Sequence, residues 1–136
     1  MKHTKTRMTV ETAIHNVVTS NESFKVLPRG TWTAGGCGIL ADAILKIWSY
    51  AGAGLYTVTD MKTGVAHHIL VHMGRYYYDG NGKSTRAQLL KYWKYKEGLA
   101  RPALVPLQEW PEDIDRNTKA SMFIAQMLLK QFERLQ

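Results

Sequence analysis

The chain has a single cysteine, Cys37, among 136 residues, so no disulfide can form within it. It holds only four prolines and no glycine-serine stretch of the kind that links domains. Nothing approaches the roughly 18 unbroken apolar residues that read as a membrane helix. The opening "MKHTKTR" is polar and basic rather than apolar like a signal peptide. These absences lead to the expectation of a cytoplasmic protein with no membrane contact. Acid is also scarce: 11 Asp and Glu face 18 Lys and Arg, a formal charge of +7. Such a surface attracts nucleic acid, anionic lipid or an acidic protein, and charge alone does not choose among them. No internal repeat is visible. Residues 1–136 therefore read as one domain with a frayed lead-in at 1–7, large enough to bury roughly two-thirds of its unfolded surface. Such a domain can hold a shaped site without disulfide or metal staples.

What is present falls into short periodic segments. Val10, Ile14, Val17 and Val18 lie on one face of a helix running to about Ser20. "SNESFKVLPRG" reads as a loop, broken by Pro28 and Gly30. A second helix starts near Cys37, since Ile39, Leu40, Ala43, Ile44, Ile47 and Trp48 repeat with helical spacing until "AGAG" at 51–54. The period then changes to that of strands. "LYTVTDM", "AHHILVHM" and "YYYD" are rich in β-branched and aromatic residues and are separated by the turns "KTG" and Gly74-Arg75, giving a three-stranded antiparallel meander. Asp79-Gly80-Asn81-Gly82 is turn chemistry, and Ser84 or Thr85 caps a helix with Leu89, Leu90 and Trp93 inward. "RPALVPLQEWP" is extended, its prolines suiting an edge strand or a loop. Glu112 to about Leu135 reads as one long helix with a stripe of Ile114, Met122, Ala125, Leu128, Leu129 and Phe132. The order predicts an α+β domain in which the helix carrying Cys37 packs on the meander.

A lone cysteine is ordinarily a small buried hydrophobe. Its surroundings favour another role here. Gly35, Gly36 and Gly38 leave Cys37 without bulky neighbours, so a substrate can approach the backbone closely. The position is also the first turn of the predicted helix, where unpaired N–H groups and the helix dipole stabilise a thiolate. A free thiol ionises near pH 8.5, and such placement beside an imidazolium can bring it to about 3.5–7.5.

The strand "AHHILVHM" offers three histidines as the base. Alternation puts His68, Leu70 and His72 on one face and His67, Ile69, Val71 and Met73 on the other. The second, nearly all apolar set is expected to face the core, with His67 a core histidine and His72 a solvent-facing one. The turn at Arg75 returns the chain so that residue 70 or so pairs with residue 79. Asp79 and Asn81 then come back alongside the start of the histidine strand, within reach of His68.

A cysteine at a glycine-flanked helix start, a histidine opening a strand and an acid ending the next strand follow in that order through "GGCGILADA" and "HILVHMGRYYYDGNG". The order resembles the papain-like and transglutaminase-like cysteine hydrolases, above all their small bacterial and phage members, over Gly35 to Gly82. The resemblance implies a compact papain-like core with Cys37 as nucleophile, His68 as base and Asp79 as the acid orienting it. It implies a two-step acyl transfer: the thiolate attacks an amide or ester carbonyl, His68 protonates the leaving group, and water or an amine resolves the acyl-enzyme. The oxyanion would rest on the Cys37 main-chain N–H and a second donor. Gly36, Trp32 and Asn81 are the oxyanion and pocket residues that go with this reading. The pattern departs at Thr31, where papain-type enzymes carry a glutamine. No cofactor is implied, and a protein or peptide is the expected substrate.

Two other chemistries compete. A zinc site is disfavoured because His68 and His72, four apart on a strand, stand about 13 Å from each other, and His67 and His68 point opposite ways. A basic binding module rests on Lys83, Arg86, Lys91, Lys94 and Lys96, interleaved with Tyr92, Trp93 and Tyr95. Such a patch can hold phosphates and stack bases, which makes nucleic acid the alternative partner. The same residues also suit a solvated helix face, or selection of an acidic protein or wall peptide.

Overall fold

The computed structural model describes residues 9–24, 36–48, 52–107 and 118–133. The expected lead-in at 1–7, and the start of the last helix at Glu112 and Ile114, lie outside them.

The chain order is α1 (Val10–Val18), α2 (Asn21–Phe24), α3 (Cys37–Trp48), β1 (Gly54–Asp60), β2 (Val65–Met73), β3 (Tyr76–Asp79), β4 (Gly82–Ser84), α4 (Arg86–Tyr95), β5 (Pro102–Pro106) and α5 (Thr118–Glu133). The class is α+β, and all strand pairs are antiparallel in the order β4-β3-β2-β1-β5. The meander is thus the centre of a five-stranded sheet. The segment read as a loop begins with the single turn of α2, in which the Ser20 hydroxyl accepts from Ser23 N–H at 3.3 Å.

Helix starts follow local chemistry. Thr9 accepts from Thr12 N–H at the head of α1, and Thr85 forms a reciprocal capping box with Gln88 at the head of α4. Gly74 makes the β2–β3 turn at φ 67°, a conformation few other residues take cheaply. The prolines bounding β5 are tolerated because that strand is an edge.

Both faces of the sheet are covered. On one, Ile69, Val71 and Tyr78 pack against Ile14, Val17, Ile39, Leu40 and Ile44 of α1 and α3 and against Ile124 and Leu128 of α5. On the other, Val58, Leu70 and Tyr77 pack beneath Leu89 and Trp93 of α4. This corrects the expectation of a single core face and explains the unbroken apolar run Ile69-Leu70-Val71 in β2. His67 is corrected as well: it is exposed. The register steps from Val58↔His68 to Thr59↔Ala66, so His67 is the extra residue of a β-bulge and escapes the alternation. His72 is half-buried, its ring 4.6 Å from that of Tyr77 and 5.4 Å from that of Tyr56.

The stripe of α5 is rotated from the expected one. Met122 and Leu129 are exposed, whereas Ala120, Ser121, Ile124, Ala125 and Leu128 are buried. The small residues let α5 lie close to α3, and the buried Ser121 hydroxyl donates to the Ile39 carbonyl at 3.2 Å, two residues from Cys37. On the surface Asn16 Nδ2 donates to Gln131 Oε1 at 3.0 Å, joining α1 to α5.

Candidate active site

Cys37 is the first residue of α3, and the Gly36 carbonyl accepts from Leu40 N–H at 2.9 Å to close the first turn. The cysteine is 4% exposed. Burial alone would push its thiol up, but the imidazole of His68 and the main-chain N–H groups of Ile69 and Gly38 outweigh it and hold the thiol below its ordinary value of 9.0. A thiolate is therefore favoured at this helix start.

His68 is fully buried in β2 just past the bulge. Its Nε2–H donates to Asp79 Oδ2 at 2.9 Å. Its Nδ1 is the one buried side-chain nitrogen or oxygen among the described residues with no hydrogen-bond partner. The Cys37 thiol acts on the ring by hydrogen bonding as well as by charge, each lowering the thiol and raising the imidazole, although the contact is too loose to satisfy Nδ1. Contacts of this kind commonly tighten only when substrate binds. Burial opposes a charge on the ring, yet Asp79 and Cys37 together raise its pKa from 6.5 to about 9. The two shifts thus both move the pair towards thiolate and imidazolium and away from thiol and imidazole.

Asp79 ends β3. The ladder pairs Val71 with Tyr78, so one step further along lies Leu70 beside Asp79. The carboxylate is buried and uses both oxygens: Oδ2 accepts from His68, and Oδ1 from Asn81 N–H at 2.9 Å. Asn81 thus acts here through its main chain, an Asx turn fixing the acid, with its side chain in an exposed position. Trp93 was legible in the sequence only as a core residue of α4. Its ring centroid lies 5.0 Å from that of His68, with the planes tilted by 33°, so it backs the imidazole. Aromatic packing of this sort fixes a ring's orientation and favours its cationic form.

Cys37, His68 and Asp79 are therefore brought together. Gly36 is buried at the head of α3, beside the nucleophile. Trp32 lies outside the described residues. In the basic set, Arg86, Lys91, Lys94 and Lys96 are exposed on α4 and its C-cap. Lys83 departs from them: it pairs with Tyr78 in the ladder, and its Nζ lies 4.5 Å over the Tyr76 ring, on the α1 face of the sheet. Among the described residues no three His, Cys, Asp or Glu side chains group closely enough to hold a metal ion, and no helix is long and apolar enough to cross a membrane.

No protein-family model, curated protein or solved structure matches the chain.

Proposed function

We propose that the protein is a cysteine-dependent hydrolase or acyl transferase with a papain-like core, working through Cys37, His68 and Asp79. The carrying observation is the shared charge state: His68 is held by Asp79 at 2.9 Å, its other nitrogen is unpaired, and the pKa values of His68 and Cys37 move in opposite directions. A core-filling cysteine needs no buried imidazole of this kind beside it. In the reaction the thiolate attacks the carbonyl of an amide or ester, and the C–S bond forms as the carbonyl electrons move onto oxygen. Collapse expels the leaving group, which takes its proton from His68 Nδ1. Water then attacks the thioester, gives a proton to His68 and regenerates the thiolate. Asp79 supports the imidazolium throughout without taking its proton.

Alkylation of Cys37 by iodoacetamide across pH tests this reading. The wild-type thiol is expected to titrate below the ordinary thiol value, and that of His68→Ala at or above it. A wild-type thiol titrating near pH 8.5, unmoved by His68→Ala, would sink it.

A second reading draws on Tyr95, which is 72% exposed on α4 with Lys94 Nζ 5.7 Å from its ring centroid and Lys91 and Lys96 nearby in sequence. An aromatic left in solvent among cations suits stacking on a nucleic-acid base. Lys91→Glu with Lys94→Glu should then abolish salt-dependent retention on immobilised DNA or RNA, while Cys37→Ser keeps it. No retention of wild-type protein at low salt would remove the second reading.

A further inference from the structure

Cys37 and His68 meet around a nitrogen that no other described residue uses. His68 faces ionisable groups from two elements: Asp79 of β3 at Nε2 and Cys37 of α3 at Nδ1. α4 presents the Trp93 ring to it, and β1 the apolar Val58, its ladder partner. The main-chain N–H groups of Gly38 and Ile69 also act on the sulfur and favour negative charge there. The pair therefore supplies an electron-rich sulfur and, on protonated Nδ1, a buried proton for whatever the sulfur displaces. The leaving group of an acyl substrate is one such recipient. The hydroxide expelled from a hydroperoxide is another, and it needs that proton more, being the poorer leaving group.

Cys37 is 4% exposed, so the oxidant that reaches it most readily is a small one, and hydrogen peroxide is barely larger than water. An ordinary buried cysteine would have to expel hydroxide as a bare anion into apolar surroundings, at a high desolvation cost. Here the proton stands beside the sulfur. The oxidised state also suits the site. Once Nδ1 has given up its proton its lone pair can accept from the S–OH group, and the orphaned nitrogen gains a partner. The chain holds no second cysteine, so the sulfenic acid cannot be consumed by a disulfide within the chain and waits for an external thiol.

Resting on the cysteine-hydrolase reading, we infer that Cys37 is a site of reversible oxidation by hydrogen peroxide, with His68 Nδ1 as proton donor, and that this oxidation switches the acyl-transfer chemistry off. The thiolate attacks one peroxide oxygen, and the S–O bond forms as the O–O bond breaks. The departing hydroxide takes the Nδ1 proton and leaves as water. The sulfur gives up an electron pair and the peroxide is reduced by it. A sulfenic acid has no thiolate to attack a carbonyl. A low-molecular-weight thiol restores it: its thiolate attacks the sulfenic sulfur, the S–O bond breaks, and the oxygen leaves protonated as water. A second thiol then displaces the Cys37 thiolate from the mixed disulfide.

Two reagents separate the roles of sulfur and imidazole in the wild-type protein, so the test needs no variant that might fail to fold. Iodoacetamide loses iodide without a proton, whereas hydrogen peroxide loses hydroxide only with one. Both rates are followed across pH as the disappearance of the Cys37 thiol, by mass spectrometry of the Cys37 peptide. Both should rise as the thiol ionises. Above about pH 9, where His68 gives up its charge, alkylation should hold level, while the peroxide rate should fall by about tenfold per pH unit. With equimolar peroxide the peptide should gain one oxygen, and dithiothreitol should remove it and restore alkylation. A peroxide rate that runs parallel to alkylation throughout, or a Cys37 peptide that gains no oxygen or one that dithiothreitol does not remove, would overturn the switch and leave the hydrolase reading standing. A thiol that titrates at its ordinary value in the alkylation arm would overturn both.

Discussion

His68 uses its two nitrogens for different purposes. Nε2 is tied to Asp79, and Nδ1 is kept without a partner in a fully buried setting, where an unpaired nitrogen ordinarily costs about 1–3 kcal/mol. That cost is tolerable if the nitrogen is reserved for the sulfur and for a leaving group. Asp79 decides which nitrogen carries the fixed proton. In Asp79→Asn an amide N–H₂ can face Nε2, favouring the tautomer with the proton on Nδ1, and the negative charge that supports the imidazolium is gone. The His68 pKa should fall, and the Cys37 titration should rise towards that of His68→Ala. The alkylation rate at pH 7 is expected to drop, by about tenfold for each unit by which the thiol titration comes to lie above pH 7. Asp79→Asn protein that is folded by circular dichroism and alkylated at the wild-type rate would show that the acid has no part in activating Cys37.

Among the elements, those that announce themselves by spacing were legible and those created by pairing were not. α3 was readable because its apolar residues repeat for three turns after a glycine-flanked start, and the same glycines marked Cys37 as unusual. β2 and β3 were readable as strands, and counting back from a two-residue turn was enough to set Asp79 beside the start of β2. β4 was missed because Gly82-Lys83-Ser84 has no β-branched or aromatic residue; only the partners Tyr77, Tyr78 and Asp79 make it a strand. The bulge at His67 has no local signature either, since a one-residue step in a ladder exists only relative to β1. It reversed the expected place of His67 while leaving His68 where the ladder needed it. In α5 the reading favoured large residues, Met122 and Leu129, over Ala120, Ser121 and Ala125, whose small size is what lets the helix approach α3. Trp93 looked like any inward aromatic, because the ring it backs lies 25 residues earlier in the chain.

For the whole molecule the coupled pair makes a statement about stability against pH. Taken singly, the raised His68 stabilises the folded state fully below pH 6.5, and this is lost as pH rises through about 9. The lowered Cys37 stabilises fully above its ordinary value of 9.0, and this is lost as pH falls through its folded value. Their proton counts cancel where both shifts act. At a pH above 6.5 and above the folded value of the thiol, up to about 9, the unfolded chain holds one proton on the thiol and the folded chain holds one on the imidazole, so the pair contributes no slope. Wherever the folded thiol is still ionised and the unfolded chain carries protons on both groups, stability falls as pH falls, until the thiolate itself is protonated. Replacing the thiol breaks the cancellation. In Cys37→Ser the unfolded His68 still releases its proton near 6.5, while the folded ring, held by Asp79, keeps it to higher pH. The variant should therefore lose stability relative to wild type as pH rises above 6.5, at up to about 1.4 kcal/mol per unit until the folded ring deprotonates. Urea unfolding of both proteins at intervals from pH 6 to 9 reads this directly, and using the difference between the two curves removes the contribution of every other titrating group. A wild-type-minus-variant difference that stays flat across that range would mean that the sulfur and the imidazole do not share a proton in the folded protein, and the thiolate at Cys37 would have to be abandoned.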